Sequence, residues 1–331
     1  MKRITSLSRI TQAERGAYTA IGNFDGVHLG HQAVLELTKK SADAQGAPLA
    51  VLTFEPHPRE VFRPDDPPFR LMNSEAKAHR LSKLGVDLLY EIPFDAALFG
   101  LAEAEFSEKI LVNGLGVSGV TVGADFCYGK GRAGNTETLR QAGQKHGFAV
   151  TIAELLGLAG GGERVSSTAI RNALHDGVPH KAAAMLGHWH RIEGPVLHGE
   201  KRGRNLGYPT ANMDISGIHP PKFGVYAVLV EVVTGPHAGH YRGVSSLGIR
   251  PMFGENLPNL ETHLFDFKGE LYDEHLSVGL VQFLRPEMKF DGVDALVAQI
   301  RRDEDKAREI LSQVPLVGFP REAIGSFQID V

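Results

Sequence analysis

Gapless apolar runs and segments of helical period alternate through the first half of the chain. Residues 17–23 read as a buried strand. Residues 30–44 read as a helix, with Val34, Leu35 and Leu37 apolar and Gly46 just beyond the end. A second apolar run follows at 49–54. Strand, helix and strand within forty residues is the spacing of a parallel crossover unit. The alternation continues with a helix at 74–84, a strand at 86–92, a helix at 103–112 and a strand at 117–123. A helix at 136–146, a strand at 148–155 and a helix opening at 166–174 complete it. The pattern predicts an α/β fold, a doubly wound parallel sheet, whose ligands bind beyond the carboxyl ends of the strands.

The second half has a different rhythm. Strand-like runs at 191–197, 225–233, 241–247, 260–267 and 277–284 are separated by Gly, Pro and charged turns, with no helical period between them. This predicts a small antiparallel β-barrel. A terminal helix at 293–311 closes it, with Val293, Leu296, Val297, Ile300, Ala307, Ile310 and Leu311 on an apolar stripe. The boundary falls near 185–189, dividing the chain into residues 1–185 and 186–331. A length of 331 residues accommodates two such domains.

Composition narrows the class of protein. A net charge of -4 and a pI near 6.4 argue against nucleic acid or a membrane surface as partner. The basic start MKRITSLSRI lacks an apolar core and is not a signal peptide. The single cysteine, Cys127, excludes a disulfide framework. A cytoplasmic protein is expected; its oligomeric state is not written in the sequence.

The chemistry concentrates where the first strand gives way to its helix, in IGNFDGVHLGH, residues 21–31. Gly22, Gly26 and Gly30 permit a tight turn, and the free N–H groups of a helix N-terminus favour phosphate. His28 in the turn and His31 in the first helical turn can face one pocket and stabilise charge growing on phosphate oxygens. Three alternatives are weaker. The two histidines can merely cap the helix or pack. A zinc site needs three or four ligands, and no HExxH or cysteine cluster supplies them. Neither a Walker loop nor a GxGxxG fingerprint is present.

Other stretches are ambiguous by themselves. TFEPHP at 53–58 is a stiff loop, and His57 is as easily part of a rigid turn as of a site. GADFCYGKGRAGN at 123–135 offers Asp125, Phe126 and Tyr128 to a planar ring, and Lys130 and Arg132 to phosphates. A solvated basic loop accounts for it equally. In VSSTAIRNAL at 165–174, Ser166 or Ser167 can cap a helix whose first turns project Thr168 and Arg171. HGEKRGRNLGYPTANM at 198–213 suits a loop over phosphates.

These motifs, in this order, resemble the bacterial bifunctional riboflavin kinase/FAD synthetase family from about Thr19 to Leu311. GNFDGVHLGH resembles the HxGH signature of nucleotidyltransferases, and RGRNLGYPTAN resembles the riboflavin kinase signature. The resemblance implies that the first domain adenylylates FMN with ATP. There His28, His31 and Arg171 are catalytic. Gly22, Asn23, Phe24, Gly30, Ser167 and Thr168 bind ATP and pyrophosphate, and Asp125, Phe126 and Tyr128 bind flavin. It implies that the barrel phosphorylates riboflavin, with Gly203, Arg204, Gly207 and Pro209 on ATP and Thr210 and Asn212 on Mg²⁺. LETHLFDFKGELYDEHL at 260–276 resembles the strand bearing the catalytic carboxylate, which falls on Glu261. The substrates implied are riboflavin, FMN and ATP.

Departures from the family pattern occur at Cys127, Asn135, Met252, residues 279–281, and before Leu247, where an asparagine is usual. They touch affinity and pocket detail rather than reaction class. Three rivals remain at this point: a chain with one active half, a nucleotidyltransferase for another substrate, and a flavin-binding regulator without turnover.

Overall fold

A computed structural model of the chain describes residues 1–154, 165–198, 207–252 and 255–319. Two of the residues expected to bind ATP, Gly203 and Arg204, lie outside the described residues. The chain forms two compact units. One comprises Met1–Asp66 and Lys77–Val165; the other comprises Pro67–Ala76 and Ser166–Val331.

The first unit is built on six parallel strands: β1 (Lys2–Ile4), β2 (Tyr18–Ile21), β3 (Leu49–Glu55), β4 (Leu88–Pro93), β5 (Gly119–Gly123) and β6 (Ala149–Ala153). Their order is β1-β4-β3-β2-β5-β6. β3 reads as an unbroken apolar run because both its faces are covered, and Leu49 through Thr53 are all buried. From β2 the chain winds outward to β3 and β4 on one side, then returns to place β5 and β6 on the other. The strand order therefore reverses between β2 and β5. In open parallel sheets that reversal opens a crevice at the carboxyl ends.

The predicted elements are present, with shifted ends and some additions. β1 is only three residues, too short for a periodic signal. A short helix, Pro58–Phe62, follows β3. The helix expected at 103–112 starts as Glu103–Glu105 and continues as a π-helix, Phe106–Leu115. Arg15 satisfies its last carbonyls, donating to Gly114 O at 2.9 Å, Asn113 O at 3.0 Å and Val112 O at 3.1 Å.

The second unit holds β7 (His190–Pro195), β8 (Ala211–Asp214), β9 (Gly224–Val232), β10 (Gly239–Met252), β11 (Glu255–Leu264) and β12 (His275–Arg285). Every neighbouring pair is antiparallel, in the order β7-β12-β9-β10-β11-β8. A bridge from Leu197 N–H to Asn212 O, 2.8 Å, brings the two edges together and nearly closes a barrel. Its interior is apolar, with Ile192, Met213, Tyr226, Val228, Leu260 and Val278 among the filling side chains. The outer face of β9 is covered as well: Ala227 and Leu229 join Ala307 and Leu311 of the terminal helix, Val293–Ser312. That explains why β9, like β3, shows no alternation. Burying Leu311 completely contributes about 1.5–3 kcal/mol. Only the second half of this helix reaches the sheet. Val293, expected on its apolar stripe, is exposed.

β8 is a correction to the sequence reading, which took 198–213 as one loop. Ala211 and Met213 face the barrel core, so the end of the signature is a strand. Four residues with Asn in second place gave too short a pattern to register.

Candidate active sites

The turn after β2 leaves the sheet at the reversal of strand order. Its backbone is unusual. Phe24 (φ 51°), Gly26 (φ 83°) and Val27 (φ 44°) all lie in the left-handed region. For a β-branched residue such as Val27 that conformation costs about 1–3 kcal/mol and persists only when its surroundings enforce it. Here they do. Val27 and Phe24 are buried, Val27 N–H donates to Phe24 O (3.2 Å), and Gln32 Nε2 donates to Val27 O (2.9 Å). Thr53 Oγ1, on β3, donates to Asn23 O at 3.2 Å.

This turn delivers two imidazoles to the start of the helix Leu29–Gln45. His28 is the N-cap, and its Nδ1 accepts from His31 N–H at 3.3 Å. An accepting Nδ1 is unprotonated, so the neutral ring carries its proton on Nε2. Gly30 makes room for that ring: a Cβ there would stand 3.1 Å from His28 Cε1. The His31 ring stacks on His28, centroids 3.7 Å apart and planes within 12°, with Phe24 at 5.0 Å. Burial foremost, then His28 and Lys77, holds the His31 pKa well below the usual 6.5, so His31 is neutral at pH 7. Its Nδ1 is buried without a hydrogen-bond partner among the described residues.

Beneath the turn, Lys77 is buried, with Nζ 3.0 Å from Glu55 Oε1 and 3.4 Å from Thr53 Oγ1. No sequence signal marked this pair. His57 caps the Pro58–Phe62 helix, its Nδ1 accepting from Arg59 N–H at 3.1 Å.

The second loop of interest, after β5, flanks the same strand-order reversal. Asp125 is exposed and Phe126 half-buried. Phe126 stacks on Tyr128 at 5.5 Å, and Tyr128 is itself buried against Phe106. The Tyr128 hydroxyl lies 3.4 Å from both Ser107 Oγ and Thr138 Oγ1. Tyr128 thus supports Phe126 from the core side. Asn135, a departure from the family pattern, is the N-cap of Thr136–His146, its Oδ1 accepting from Glu137 and Thr138 N–H. Asn caps as well as Asp does, so that change leaves the helix start intact.

In the second unit, Ser166 caps the helix Ser167–His175, its Oγ accepting from Ala169 N–H at 3.2 Å. Ser167 and Thr168 follow in the first turn, and Thr168 is exposed. Arg171, one turn later, donates from Nε to Phe69 O at 2.5 Å, its guanidinium carbon 5.3 Å from the centre of the Phe69 ring.

The barrel brings Asn212 and Glu261 together. β8 and β11 pair so that Glu261 stands directly opposite Asn212, while Leu260 and Met213 beside them point into the core. Strand alternation puts Asn259 on the same face as Glu261, a position missed in the sequence though its spacing of two was visible. Asn259 Nδ2 lies 3.4 Å from Asn212 Oδ1, and Asn259 Oδ1 is buried with no partner among the described residues. Upstream, Gly207 takes a φ of 83°, and Pro209 O accepts from His263 Nδ1 at 2.9 Å. Thr210 is half-buried, its carbonyl within 3.4 Å of Asn212 Nδ2.

Among the described residues no three His, Cys, Asp or Glu side chains gather into a metal site. What β8, β11 and the residue before β8 offer instead is oxygen: the Asn212 and Asn259 carboxamides, the Glu261 carboxylate and the Thr210 hydroxyl. An orphaned buried oxygen within such a set fits a hard divalent cation that takes its remaining ligands from phosphate and water.

The FAD synthetase family model matches residues 10–169 and the riboflavin kinase model matches 186–311. A bifunctional riboflavin kinase/FMN adenylyltransferase of Pseudomonas fluorescens is 41% identical over 94% of this chain and 98% of its own. Its counterpart in Escherichia coli K12 is 39% identical over 93% and 97%. A Streptococcus pneumoniae crystal structure described as a macrolide-efflux protein superposes with a TM-score of 0.78 at 30% identity, covering 93% of this chain and 98% of that one. Among the described residues, no helix is long and apolar enough to cross a membrane.

Proposed function

The chain belongs to the family of bifunctional riboflavin kinase/FMN adenylyltransferases, and on that premise we propose how its residues divide the two reactions. It phosphorylates riboflavin to FMN with ATP, then adenylylates FMN to FAD. In this reading residues 1–185 carry the adenylylation and 186–331 the phosphorylation.

Phosphorylation belongs to the β8–β11 face. Glu261 orients the 5′-hydroxyl of riboflavin and takes its proton as the oxygen attacks the γ-phosphorus of ATP; ADP leaves. Gly203, Arg204, Gly207 and Pro209 cradle the nucleotide. Thr210 and Asn212 would hold Mg²⁺, with Asn259 behind Asn212. When bound, the metal neutralises phosphate charge.

Adenylylation belongs to the turn after β2. A phosphate oxygen of FMN attacks the α-phosphorus of ATP, forming the new P–O bond as the bond to pyrophosphate breaks. The His28 Nε2–H and the His31 ring meet the charge that builds on the α-phosphate oxygens. Both rings are neutral donors already fixed by stacking, so little reorganisation accompanies the reaction. Gly22, Asn23, Phe24 and Gly30 form the backbone against ATP. Ser167, Thr168 and Arg171 hold the departing pyrophosphate, and Asp125 and Phe126, backed by Tyr128, take the flavin.

The observation that carries this reading is the presence of two chemically different sites in one chain. One is a stacked imidazole pair at a helix start; the other is a carboxylate–carboxamide pair across two strands. The test is a time course with riboflavin, excess ATP and Mg²⁺, the flavins resolved by chromatography. FMN appearing first and FAD later is the expected result. FMN that is never converted, even when supplied directly, contradicts the adenylylation assignment. Riboflavin retained without any conversion favours a regulatory flavin-binding protein.

A further inference from the structure

His219 lies in the connection between β8 and β9, inside the riboflavin kinase match, yet its hydrogen bonds run to elements outside the barrel. Its backbone N–H donates to Arg70 O at 2.8 Å. Its Nε2 lies 3.2 Å from Arg171 O. A carbonyl only accepts, so Nε2 carries the proton in this contact. Arg171 in turn donates to Phe69 O, the residue before Arg70. The four residues close a ring: His219 to Arg171, Arg171 to Phe69, and Arg70 back to His219. Three residues beyond His219, Lys222 N–H donates to Leu174 O at 2.9 Å on the same helix.

A helix held at two successive turns by one connection keeps its register, and the Arg171 guanidinium keeps its direction. Among the described residues, His219 makes no hydrogen bond to a group assigned to riboflavin phosphorylation. We infer that His219 is a positioning residue for FMN adenylylation: through it a loop of the kinase barrel fixes Arg171, and with it the helix start that carries Ser167 and Thr168, for the pyrophosphate role given above. This rests on the reading of Arg171 given above. It makes the adenylylation step depend on the barrel's β8–β9 connection, independently of any kinase turnover.

The experiment uses the full chain in four forms: wild type, His219→Ala, His219→Gln and Arg171→Ala. Riboflavin phosphorylation and FMN adenylylation are assayed separately, with KM for ATP, kcat and Tm recorded for each. His219→Ala is expected to raise the KM for ATP in adenylylation roughly tenfold while phosphorylation stays within about twofold. His219→Gln, whose amide nitrogen reaches the same carbonyl, is expected to restore most of the loss. Equal loss of both reactions, no loss in His219→Ala, or a Gln variant no better than Ala would each overturn the inference. If His219→Ala does not fold, His219→Asn replaces it, since its amide is too short for the carbonyl; Gln must then surpass Asn. Arg171→Ala separates the two levels. Wild-type FAD formation in that variant defeats the reading of Arg171; impairment there with none in His219→Ala defeats this inference alone.

Discussion

The turn after β2 and the β8–β11 face, the two places proposed to handle phosphate, are constructed on opposite plans. The first concentrates its chemistry in eleven consecutive residues at the start of a helix. Left-handed backbone at Phe24, Gly26 and Val27 aims two stacked imidazoles. The second gathers side chains from distant stretches of sequence onto one face of paired strands, where register alone sets Asn212 against Glu261. A helix start supplies N–H groups and partial positive charge, which suits the oxygens of a phosphorus under attack. A strand pair supplies fixed side-chain oxygens, which suit a cation and a hydroxyl proton. The local site tolerates little change in backbone; the distributed one depends on register.

The comparison can be broken most sharply at His28. His28→Asn keeps an acceptor for His31 N–H, since Asn is a good N-cap, but removes the Nε2 donor. FAD formation from FMN should fall by about 10²–10³ in kcat, the scale for losing one preorganised donor, with little change in Tm. A variant that keeps wild-type adenylylation would reduce His28 to a cap.

Acid sharpens the contrast through a histidine that belongs to the barrel alone. His190, buried on β7, has its pKa pushed down to about 3 by burial and, secondarily, by His219. The unfolded chain takes up this proton below the ordinary value of 6.5 while the folded chain does not, so stability is lost as pH falls from 6.5 towards 3. By pH 5 the loss is about 2 kcal/mol. Thermal melts at pH 7 and pH 5 should show it, and His190→Leu should reduce the difference by a similar amount. An unchanged difference in that variant would place the acid sensitivity elsewhere.

A smaller effect tests the distributed site. Asn259→Ala removes the side chain behind Asn212 without touching Glu261. It should raise the Mg²⁺ requirement of riboflavin phosphorylation by about 10-fold, as loss of an outer supporting group does, and leave FAD formation from FMN unchanged. An unaltered Mg²⁺ titration would separate Asn259 from the metal.

The two sites also differ in how far they could be read from sequence. The local one was legible: a glycine-spaced turn between an apolar run and a helical period carried His28 and His31 together. Its support was not. Lys77, Glu55 and Thr53 meet beneath the turn only because β3 and a later helix pack there, and nothing in their spacing announces it. For the distributed site, Glu261 is marked by resemblance alone, β8 is too short to register as a strand, and Asn259 carries no signature of its own. Pairing between strands some fifty residues apart is a tertiary fact. The two gapless runs, β3 and β9, were read correctly as strands because cover on both faces removes alternation, whichever kind of sheet supplies it. The exposure of Val293 shows the reverse: a helical period marks a face, but not how far the partner surface extends.

In the proposed reading the stacked histidines serve FAD formation and Glu261 serves FMN formation. This is tested most directly by assaying His31→Ala and Glu261→Ala side by side, each for FMN formation from riboflavin and FAD formation from FMN. The account predicts a crossover, with His31→Ala losing only FAD formation and Glu261→Ala losing only FMN formation, each by about 10² or more. Both activities falling together in either variant would contradict it.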